Sequence, residues 1–161
     1  MTLFHRVAAL ACAAALTAGL AGCATTASPE AMKAEAASFQ LPKYPSAGKA
    51  LVYVVRPGPE VYLAGYSPVF VYVDDAGVNE HVGYTRSGQY LAVDLTPGQH
   101  KIRSGMGGEV AFQAKAGEVR FLKQEAGLMG LTSLEEIDEI TGKYLMKSKD
   151  IKPGSPSDKA K

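Results

Sequence analysis

The chain has 161 residues, a length that suits one folded domain, and its 17 Lys and Arg side chains nearly balance 16 Asp and Glu, for a formal charge of +1. Nucleic-acid binders and proteins held by anionic lipids carry a basic excess or a polybasic cluster, so this composition argues against both classes. The two cysteines, Cys12 and Cys23, both precede the folded part, where we therefore expect neither a disulfide nor a Cys/His zinc site.

Residues 1–22 have the pattern of a secretory signal peptide. His5 and Arg6 give a short basic start, and an apolar run over residues 7–20 follows. That run is shorter than the roughly 20 residues that a membrane-spanning helix needs, so we expect cleavage rather than a transmembrane anchor. Removal of this segment takes away one basic side chain, Arg6, and leaves 17 − 1 = 16 basic against 16 acidic side chains.

The last residues of this segment, Leu20, Ala21 and Gly22, together with Cys23 resemble the cleavage box of bacterial lipoproteins. The resemblance implies that the signal peptidase recognises the first three residues and that the Cys23 thiol accepts a diacylglycerol. Further acylation of its amino group then makes attachment stable, since each buried methylene contributes about 0.8 kcal/mol. Ala24 stands where enteric bacteria use Asp for inner-membrane retention, which favours the outer membrane with the domain facing the periplasm. The alternative is a soluble secreted protein.

Residues 23–48 are predicted to form a flexible, lipid-anchored tether. The segment is rich in Ala, Ser, Thr and Pro and has no sustained apolar period. A short helix over residues 30–37 fits the composition, but alone it would be marginal because it is shorter than about 12 residues. Treated as a flexible chain at roughly 5–6 Å times the square root of residue number, the tether would hold the domain about 25–30 Å from the lipid.

Residues 49–147 are predicted to fold as one all-β domain, a small antiparallel β-sandwich of about seven strands. Runs of Val, Tyr, Phe and Leu alternate with turn residues, and the predicted strands cover residues 50–56, 69–74, 78–84, 90–95, 100–103, 109–115 and 118–125. The first is a continuous apolar run, which suits a strand covered on both faces. In the second, valines alternate with Phe70 and Tyr72, so these two rings share a face.

Three tight turns are predicted to join consecutive strands as hairpins. Residues 74–77 connect the second and third strands. Residues 96–98, Thr-Pro-Gly, have the signature of a type II turn, because only Gly accepts the positive φ angle at the second central position without cost. Residues 116–117 are predicted to join the last two strands, 109–115 and 118–125, as a hairpin. The glycine-rich loop at residues 105–108 is expected to vary freely.

The C-terminal part leaves two alternatives open. Residues 131–137 fit a last edge strand, whereas residues 135–146 have apolar positions near helical spacing and fit a short amphipathic helix. Gly142 lies inside that helical pattern and weakens it. Residues 148–161 are rich in Pro, Ser, Lys and Asp and are predicted to be a disordered tail.

Four stretches of residues 49–125 resemble the DUF2846 family of bacterial lipoproteins, which is related in pattern to PEGA-type sandwich domains. The stretches are GKALVYVVRP, PVFVYVDDAG, GQYLAVDLTPGQHKIR and AGEVRFLKQEAG. The resemblance covers the folded part, and its most specific element is the VYVD strand followed by the Pro97-Gly98 turn and the strand that carries His100. It implies a small all-β envelope domain of uncharacterised biochemistry.

Few residues suggest catalysis. His100 follows a tight turn and Asp94 lies on the strand predicted to pair with it, so a general-base pair across a hairpin is conceivable. Ser87 and Ser104 are the nearest hydroxyls in sequence, but neither lies in a G-x-S-x-G nucleophile elbow. A structural or exposed histidine is the favoured interpretation, and we assign no catalytic residue.

Binding sites for ions and phosphate are also weakly indicated. Asp74, Asp75 and Asn79 could suggest calcium, but they lack the spacing of an EF-hand loop and a hairpin turn explains them equally well. The glycines at positions 105, 107 and 108 do not form a phosphate-binding fingerprint. We therefore expect no metal and no cofactor.

Tyrosine is abundant in a domain that has no Trp, and a few of these rings exposed on one sheet could form a contact surface for a glycan or a protein. Packing in the core or within a sheet is the favoured interpretation for most of them. The tyrosines concerned are Tyr53, Tyr62, Tyr66, Tyr72, Tyr84 and Tyr90.

Two functions from different classes follow. The favoured one is a non-enzymatic, lipid-anchored protein of the outer membrane whose β-sandwich binds a protein or an envelope polymer such as peptidoglycan. The alternative is an envelope hydrolase that acts on peptidoglycan or a peptide, with His100 and Asp94 as its acid/base pair.

Overall fold

A computed structural model describes residues 27–58, 67–75, 77–127 and 131–157. Helix α1 spans Pro29–Ala37 and helix α2 spans Glu139–Ser148. The strands are β1 (Ala50–Arg56), β2 (Val69–Asp75), β3 (Val78–Thr85), β4 (Gln89–Leu95), β5 (Gly98–Ser104), β6 (Gly107–Ala114), β7 (Val119–Ala126), β8 (Thr132–Ile137), β9 (Lys152–Pro153) and β10 (Ser155–Pro156). None of the helices in these ranges is long and apolar enough to cross a membrane.

The strands form two five-stranded sheets that pack face to face. Sheet I has the order β8-β7-β1-β4-β9, and sheet II has the order β10-β3-β2-β5-β6. Between them lies an aliphatic core that includes Val52 and Leu122 from sheet I and Val71 and Ile102 from sheet II. The predicted all-β sandwich is confirmed, with two-residue strands β9 and β10 in addition to eight longer ones.

The sequence had suggested a purely antiparallel sandwich, but two pairs of strands are parallel. Strand β1 pairs in parallel with β7, and β4 pairs in parallel with β9. Strand β1 lies at the centre of sheet I, and all seven of its residues are buried. This burial matches the prediction of a strand covered on both faces, and such strands are the ones that accept parallel partners reached by a crossover.

Of the three predicted hairpins, only the one between β2 and β3 is confirmed. Strand β4 pairs with β1, whereas β5 pairs with β2 and β6 in the other sheet. Likewise, β6 belongs to sheet II and β7 to sheet I. At residues 96–97 and 115–118 the chain therefore crosses between the sheets. Turn residues specify a sharp reversal, but they do not decide whether the two strands lie side by side or face each other.

Sheet I has a second core on its outer side. Tyr53 and Phe121 stack there with ring centroids 5.3 Å apart, and Leu41, Met146 and Ile151 cover them. Helix α2 packs on β7 and β1, and α1 packs on α2. The molecule thus has three layers, with helices on sheet I, sheet I in the middle and sheet II on the other side.

The prediction of a flexible tether is wrong for residues 27–48. Helix α1 is held to α2 by Lys147, whose Nζ lies 2.7 Å from Glu35 Oε2 and 2.7 Å from Ser38 Oγ. Further along, Leu41 is buried, and the Tyr53 hydroxyl donates to the Lys43 carbonyl at 2.6 Å. A helix that would be marginal alone is stabilised here by tertiary packing, which composition does not reveal.

The C-terminal alternatives both occur, one after the other. Residues 132–137 form β8, at the edge of sheet I beside β7. Asp138 then caps α2, because its Oδ1 accepts a hydrogen bond from the Thr141 backbone N–H at 3.0 Å. The predicted disordered tail is wrong for residues 148–157, since β9 pairs with β4 and β10 pairs with β3, so that the segment connects the two sheets.

The glycine loop after β5 does not have the predicted freedom to vary. A Cβ atom on Gly107 would lie 2.8 Å from the Thr132 carbonyl oxygen, and one on Gly108 would lie 2.6 Å from the Leu134 nitrogen. Gly108 also has a φ of 59°, which disfavours other residues. These glycines allow β6 to approach the backbone of β8 closely.

Candidate functional site

The outer face of sheet II carries the candidate site. Along β2, Val69, Val71 and Val73 point to the core while Phe70 and Tyr72 point outward, as the alternation predicted. The two helices lie on the opposite side of the molecule, against sheet I. Sheet I is therefore covered on both sides, and the outer face of sheet II carries aromatic side chains with partial solvent exposure.

Four rings form a continuous row on this face, here called the aromatic stripe: Tyr84, Phe70, His81 and Tyr72. Their order follows the register of β2 and β3, in which Phe70 lies opposite Tyr84 and Tyr72 opposite His81. Successive ring centroids are 6.0, 5.3 and 5.5 Å apart, and the rings meet at angles of 68°, 64° and 50°. These are the edge-to-face and tilted geometries that aromatic pairs prefer.

An arginine lies at each end of the aromatic stripe. The Cζ atom of Arg86 is 5.1 Å from the centroid of the Tyr84 ring, and that of Arg103 is 5.1 Å from the Tyr72 ring. Both distances are within the range of a cation–π contact. Hydrogen bonds with Ser155 and with Arg86, together with the charge of Arg86, lower the pKa of the Tyr84 hydroxyl below its ordinary value.

A polar cluster adjoins the Tyr72 end and consists of Asp74, Asn79 and Arg103. Arg103 Nε lies 3.6 Å from Asp74 Oδ2. With its nitrogen turned toward Asp74 Oδ1, 3.2 Å away, the Asn79 amide also accepts a hydrogen bond from Arg103 through its oxygen. Two of the three residues that raised the question of calcium, Asp74 and Asn79, thus bind Arg103. Within the described ranges, no group of three or more His, Cys, Asp or Glu side chains is placed to hold a metal ion.

An open groove of about 720 Å³ begins at Asp74 and continues over β5 and β6. Gln99 and Gln113, which face each other across these strands, line it together with Lys101. His100 lies at its base, buried, and its Nδ1 has no hydrogen-bond partner in the described structure. The polar cluster and the groove share Asp74, so the aromatic stripe, the polar cluster and the groove form one surface.

Contiguity, rather than exposure alone, distinguishes the aromatic stripe from other exposed apolar side chains. Phe70, near its centre, is 43% exposed, and the other three rings are partly exposed. Tyr44 and Ile140 are also exposed, but they belong to different elements. Single exposed apolar residues are normal on protein surfaces, whereas a contiguous patch marks an interaction site.

The tyrosines that drew attention in the sequence have two different environments. Tyr53 and Tyr90 belong to the second core, where burial raises the pKa of Tyr53 to about 12. Tyr72 and Tyr84 lie on the outer face of sheet II. Tyr62 and Tyr66 fall outside the described residues. Phe70 was predicted to share a face with Tyr72, but the contacts with His81 and the two arginines were not predicted, because cross-strand neighbours depend on register.

The predicted pair of His100 and Asp94 does not form a hairpin dyad. Strands β4 and β5 belong to different sheets, although both side chains line a cleft at one end of the sandwich. His100 Nε2 lies 2.7 Å from the Thr96 carbonyl oxygen, and its Nδ1 is 3.7 Å from Asp75 Oδ2, beyond hydrogen-bond range. His100 is thus held by the backbone of the connection between β4 and β5.

Asp94 has a structural role of its own. Its carboxylate accepts a hydrogen bond from the Ser46 hydroxyl at 2.8 Å and lies 2.8 Å from Lys43 Nζ. Partial burial acts to raise the pKa of Asp94, but the hydrogen bonds from Lys43 and Ser46 and the charge of Lys43 outweigh it and lower the pKa. Asp94 therefore holds the segment before β1 against sheet I.

The Ser104 hydroxyl belongs to a buried polar network between the sheets. It accepts a hydrogen bond from Gln124 Nε2 at 2.8 Å, and the Gln124 carbonyl oxygen accepts one from the Thr85 hydroxyl. Arg56, 1% exposed, donates to the carbonyl oxygens of Ser67 and Thr85 at 2.9 and 3.3 Å. This network links β1, β3, β5 and β7, and it gives Ser104 a structural partner. Ser87 lies in the turn before β4.

The residues of the predicted lipoprotein cleavage box, Leu20, Ala21, Gly22 and Cys23, lie outside the described residues, so lipidation at Cys23 stays a prediction. Comparison with known proteins gives no match: no protein-family model, no curated protein and no solved structure is similar to the chain. The resemblance to the DUF2846 family likewise stays a prediction.

Proposed function

We propose that the protein is a non-enzymatic, lipid-anchored protein of the bacterial cell envelope whose β-sandwich binds a protein or an envelope polymer at the outer membrane. The observation that carries this proposal is the aromatic stripe on the open face of sheet II. A contiguous row of partly exposed rings between two arginines has the composition of binding surfaces, in which aromatic residues and Arg are enriched.

The packed N-terminal segment supports a specific arrangement at the membrane. From Cys23 to Pro29 there are 29 − 23 = 6 residue steps, which span at most about 22 Å when fully extended. A lipid on Cys23 would therefore keep α1 close to the membrane surface. Because α1 lies on the sheet I side of the sandwich, the outer face of sheet II would be directed away from the lipid and toward partners in the periplasm.

Binding rather than catalysis is proposed because the candidate catalytic groups have other partners. Asp94 binds Lys43 and Ser46, His100 binds the Thr96 carbonyl oxygen, and Ser104 lies in the buried network. No observation gives the hydrolase alternative support comparable to the aromatic stripe.

The anchor is tested by metabolic labelling with a clickable fatty acid, in cells that express the wild-type chain or Cys23→Ala, followed by separation of the two membranes. We expect label on the wild type alone and in the outer-membrane fraction. Label on neither protein would contradict the anchor and favour a soluble secreted domain.

The binding surface is tested by photocrosslinking in living cells. A photoreactive phenylalanine analogue is placed at position 70, in the aromatic stripe, or at position 44, where the native Tyr is 63% exposed on another surface. We expect discrete crosslinked products from position 70 and none from position 44. The same products from both positions, or none from position 70, would contradict a binding role for this face.

A further inference from the structure

We infer that the outer face of sheet II binds a linear, uncharged glycan chain, with sugar rings against the aromatic stripe and hydroxyl groups on the polar cluster and the groove beside it. The inference rests on the proposed binding function and names the chemical class of its ligand. It follows from the shape of the surface, the hydrogen-bonding groups next to the rings and the balance of charge.

The shape of the surface fits a chain. The aromatic stripe is confined to β2 and β3, and the polar cluster at its Tyr72 end continues through Asp74 into the groove over β5 and β6. Successive rings alternate between the two strands at centroid distances of 5.3–6.0 Å, so the stripe is two strands wide. A narrow aromatic surface that continues into a groove can follow a linear polymer over several units, whereas a protein interface centres on a broad apolar core.

The chemistry beside the rings fits hydroxyl groups. A pyranose has an apolar face of C–H groups and a rim of hydroxyls, each of which both donates and accepts hydrogen bonds. Asp74 is an acceptor, Arg103 is a donor, and Asn79 is both, and the three lie together next to Tyr72. In the groove, the exposed amides of Gln99 and Gln113 repeat this pairing of donor and acceptor.

Two of the three cations nearest the site are matched by carboxylates, and the third, Arg86, contacts the Tyr84 ring. Arg103 lies near Asp74, and Lys101 Nζ is 3.5 Å from Glu109 Oε1. An anionic polymer or an acidic peptide would gain from the cations but would be repelled by the adjacent carboxylates. A ligand without charge needs no counter-charges from the protein, so these pairs favour neutral sugars over charged partners.

The test is calorimetric titration of the lipid-free chain from residue 24 onward, which contains every described residue. The probes are two neutral hexamers, of β-1,4-linked N-acetylglucosamine and of β-1,4-linked glucose, and glycan strands freed of peptide from purified peptidoglycan, whose muramic acid carboxylates make them the charged comparison. We expect at least one hexamer to bind wild type more tightly than the charged strands do, and Phe70→Ala to weaken that binding by at least about tenfold, as the loss of one central aromatic contact does. Tyr44→Ala, which removes an exposed ring elsewhere, should bind as wild type does.

A second variant distinguishes a loss of sugar binding from a loss of folding. Asn79→Asp alters an exposed side chain and replaces the donor group with a second carboxylate beside Asp74. We expect it to weaken sugar binding severalfold while its thermal unfolding stays close to that of wild type. Equal binding by wild type, Phe70→Ala and Asn79→Asp, or binding of neither hexamer, would overturn the inference.

Failure of this inference can be separated from failure of the proposed function. If no glycan binds but photocrosslinking from position 70 gives a discrete protein adduct, the sugar inference is overturned and the binding function stands. If position 70 gives no adduct and no glycan binds, both are overturned. Binding of free peptidoglycan stem peptides in place of the glycan probes would also overturn the sugar inference.

Discussion

A Cβ atom on Gly142 would overlap ring atoms Cγ and Cδ1 of Phe121, well inside the closest approach of carbon atoms. The glycine that weakened the helical pattern in the sequence is thus the residue that lets α2 lie on sheet I. Through this contact the second core is sealed, and the helices occupy the side of the molecule opposite the aromatic stripe.

Gly142→Ala should therefore destabilise the protein, although Ala favours helix by about 1 kcal/mol over Gly. Overpacking against the Phe121 ring is expected to lower the free energy of unfolding by about 1–3 kcal/mol, as measured by urea denaturation. Ser148→Ala, at the exposed end of the same helix, serves as the control and should be near neutral. A rise in stability for Gly142→Ala would show that α2 does not pack on Phe121.

Leu41→Ala tests whether the segment before β1 is packed or a free tether. Leu41 is buried in the second core, so its truncation should lower the free energy of unfolding by about 2–3 kcal/mol. Gln40→Ala changes the preceding, exposed residue and should have little effect. If thermal and urea unfolding are the same for the two variants, residues 39–48 do not pack on the domain.

Gln124→Leu tests the polar network between the sheets. The substitution leaves the buried hydroxyls of Thr85 and Ser104 without their amide partner, which should lower the free energy of unfolding by about 1–3 kcal/mol. Gln113→Leu makes the same change at an exposed position on β6 and should cost much less. Equal unfolding midpoints for the two variants would contradict the network.

Asp94 should make stability depend on acid pH. Its pKa is lower in the folded state than its ordinary value of 3.8, so the stability that it contributes is present above about pH 4 and is lost as the pH falls through the folded-state pKa. Wild type should exceed Asp94→Asn in stability at neutral pH, and the difference should shrink below about pH 4. Asp150→Asn, at a side chain that is 83% exposed, is the control. A difference that stays constant from pH 7 to pH 2 would contradict this role of Asp94.

The strands were predictable because their signals are local. The continuous apolar run of β1 and the valine alternation of β2 reflect burial on two faces and on one face, and both strands begin where predicted. The pairing of the strands was harder to predict, because residues 96–98 specify a reversal of the chain without specifying which sheet the next strand joins. The antiparallel prediction therefore failed at β1 and β7, which lie far apart in sequence.

Only part of the candidate site could be predicted from the sequence, for the same reason. The alternation in β2 placed Phe70 and Tyr72 on one face, but the intervening His81 and the flanking Arg86 and Arg103 come from β3, its following turn and β5. Conversely, spacing across a tight turn suggested that His100 and Asp94 form a pair. Because that turn crosses between sheets, each side chain instead binds the backbone or loop nearest to it.

The most direct test of the central claim, that the aromatic stripe is the binding surface, is co-sedimentation of the lipid-free chain with purified envelopes of the host bacterium. We predict that wild type and Tyr44→Ala sediment with the envelopes, whereas the double variant Phe70→Ala and Tyr72→Ala stays in the supernatant with an unchanged circular dichroism spectrum. Equal sedimentation of all three proteins, or of none, would contradict the claim.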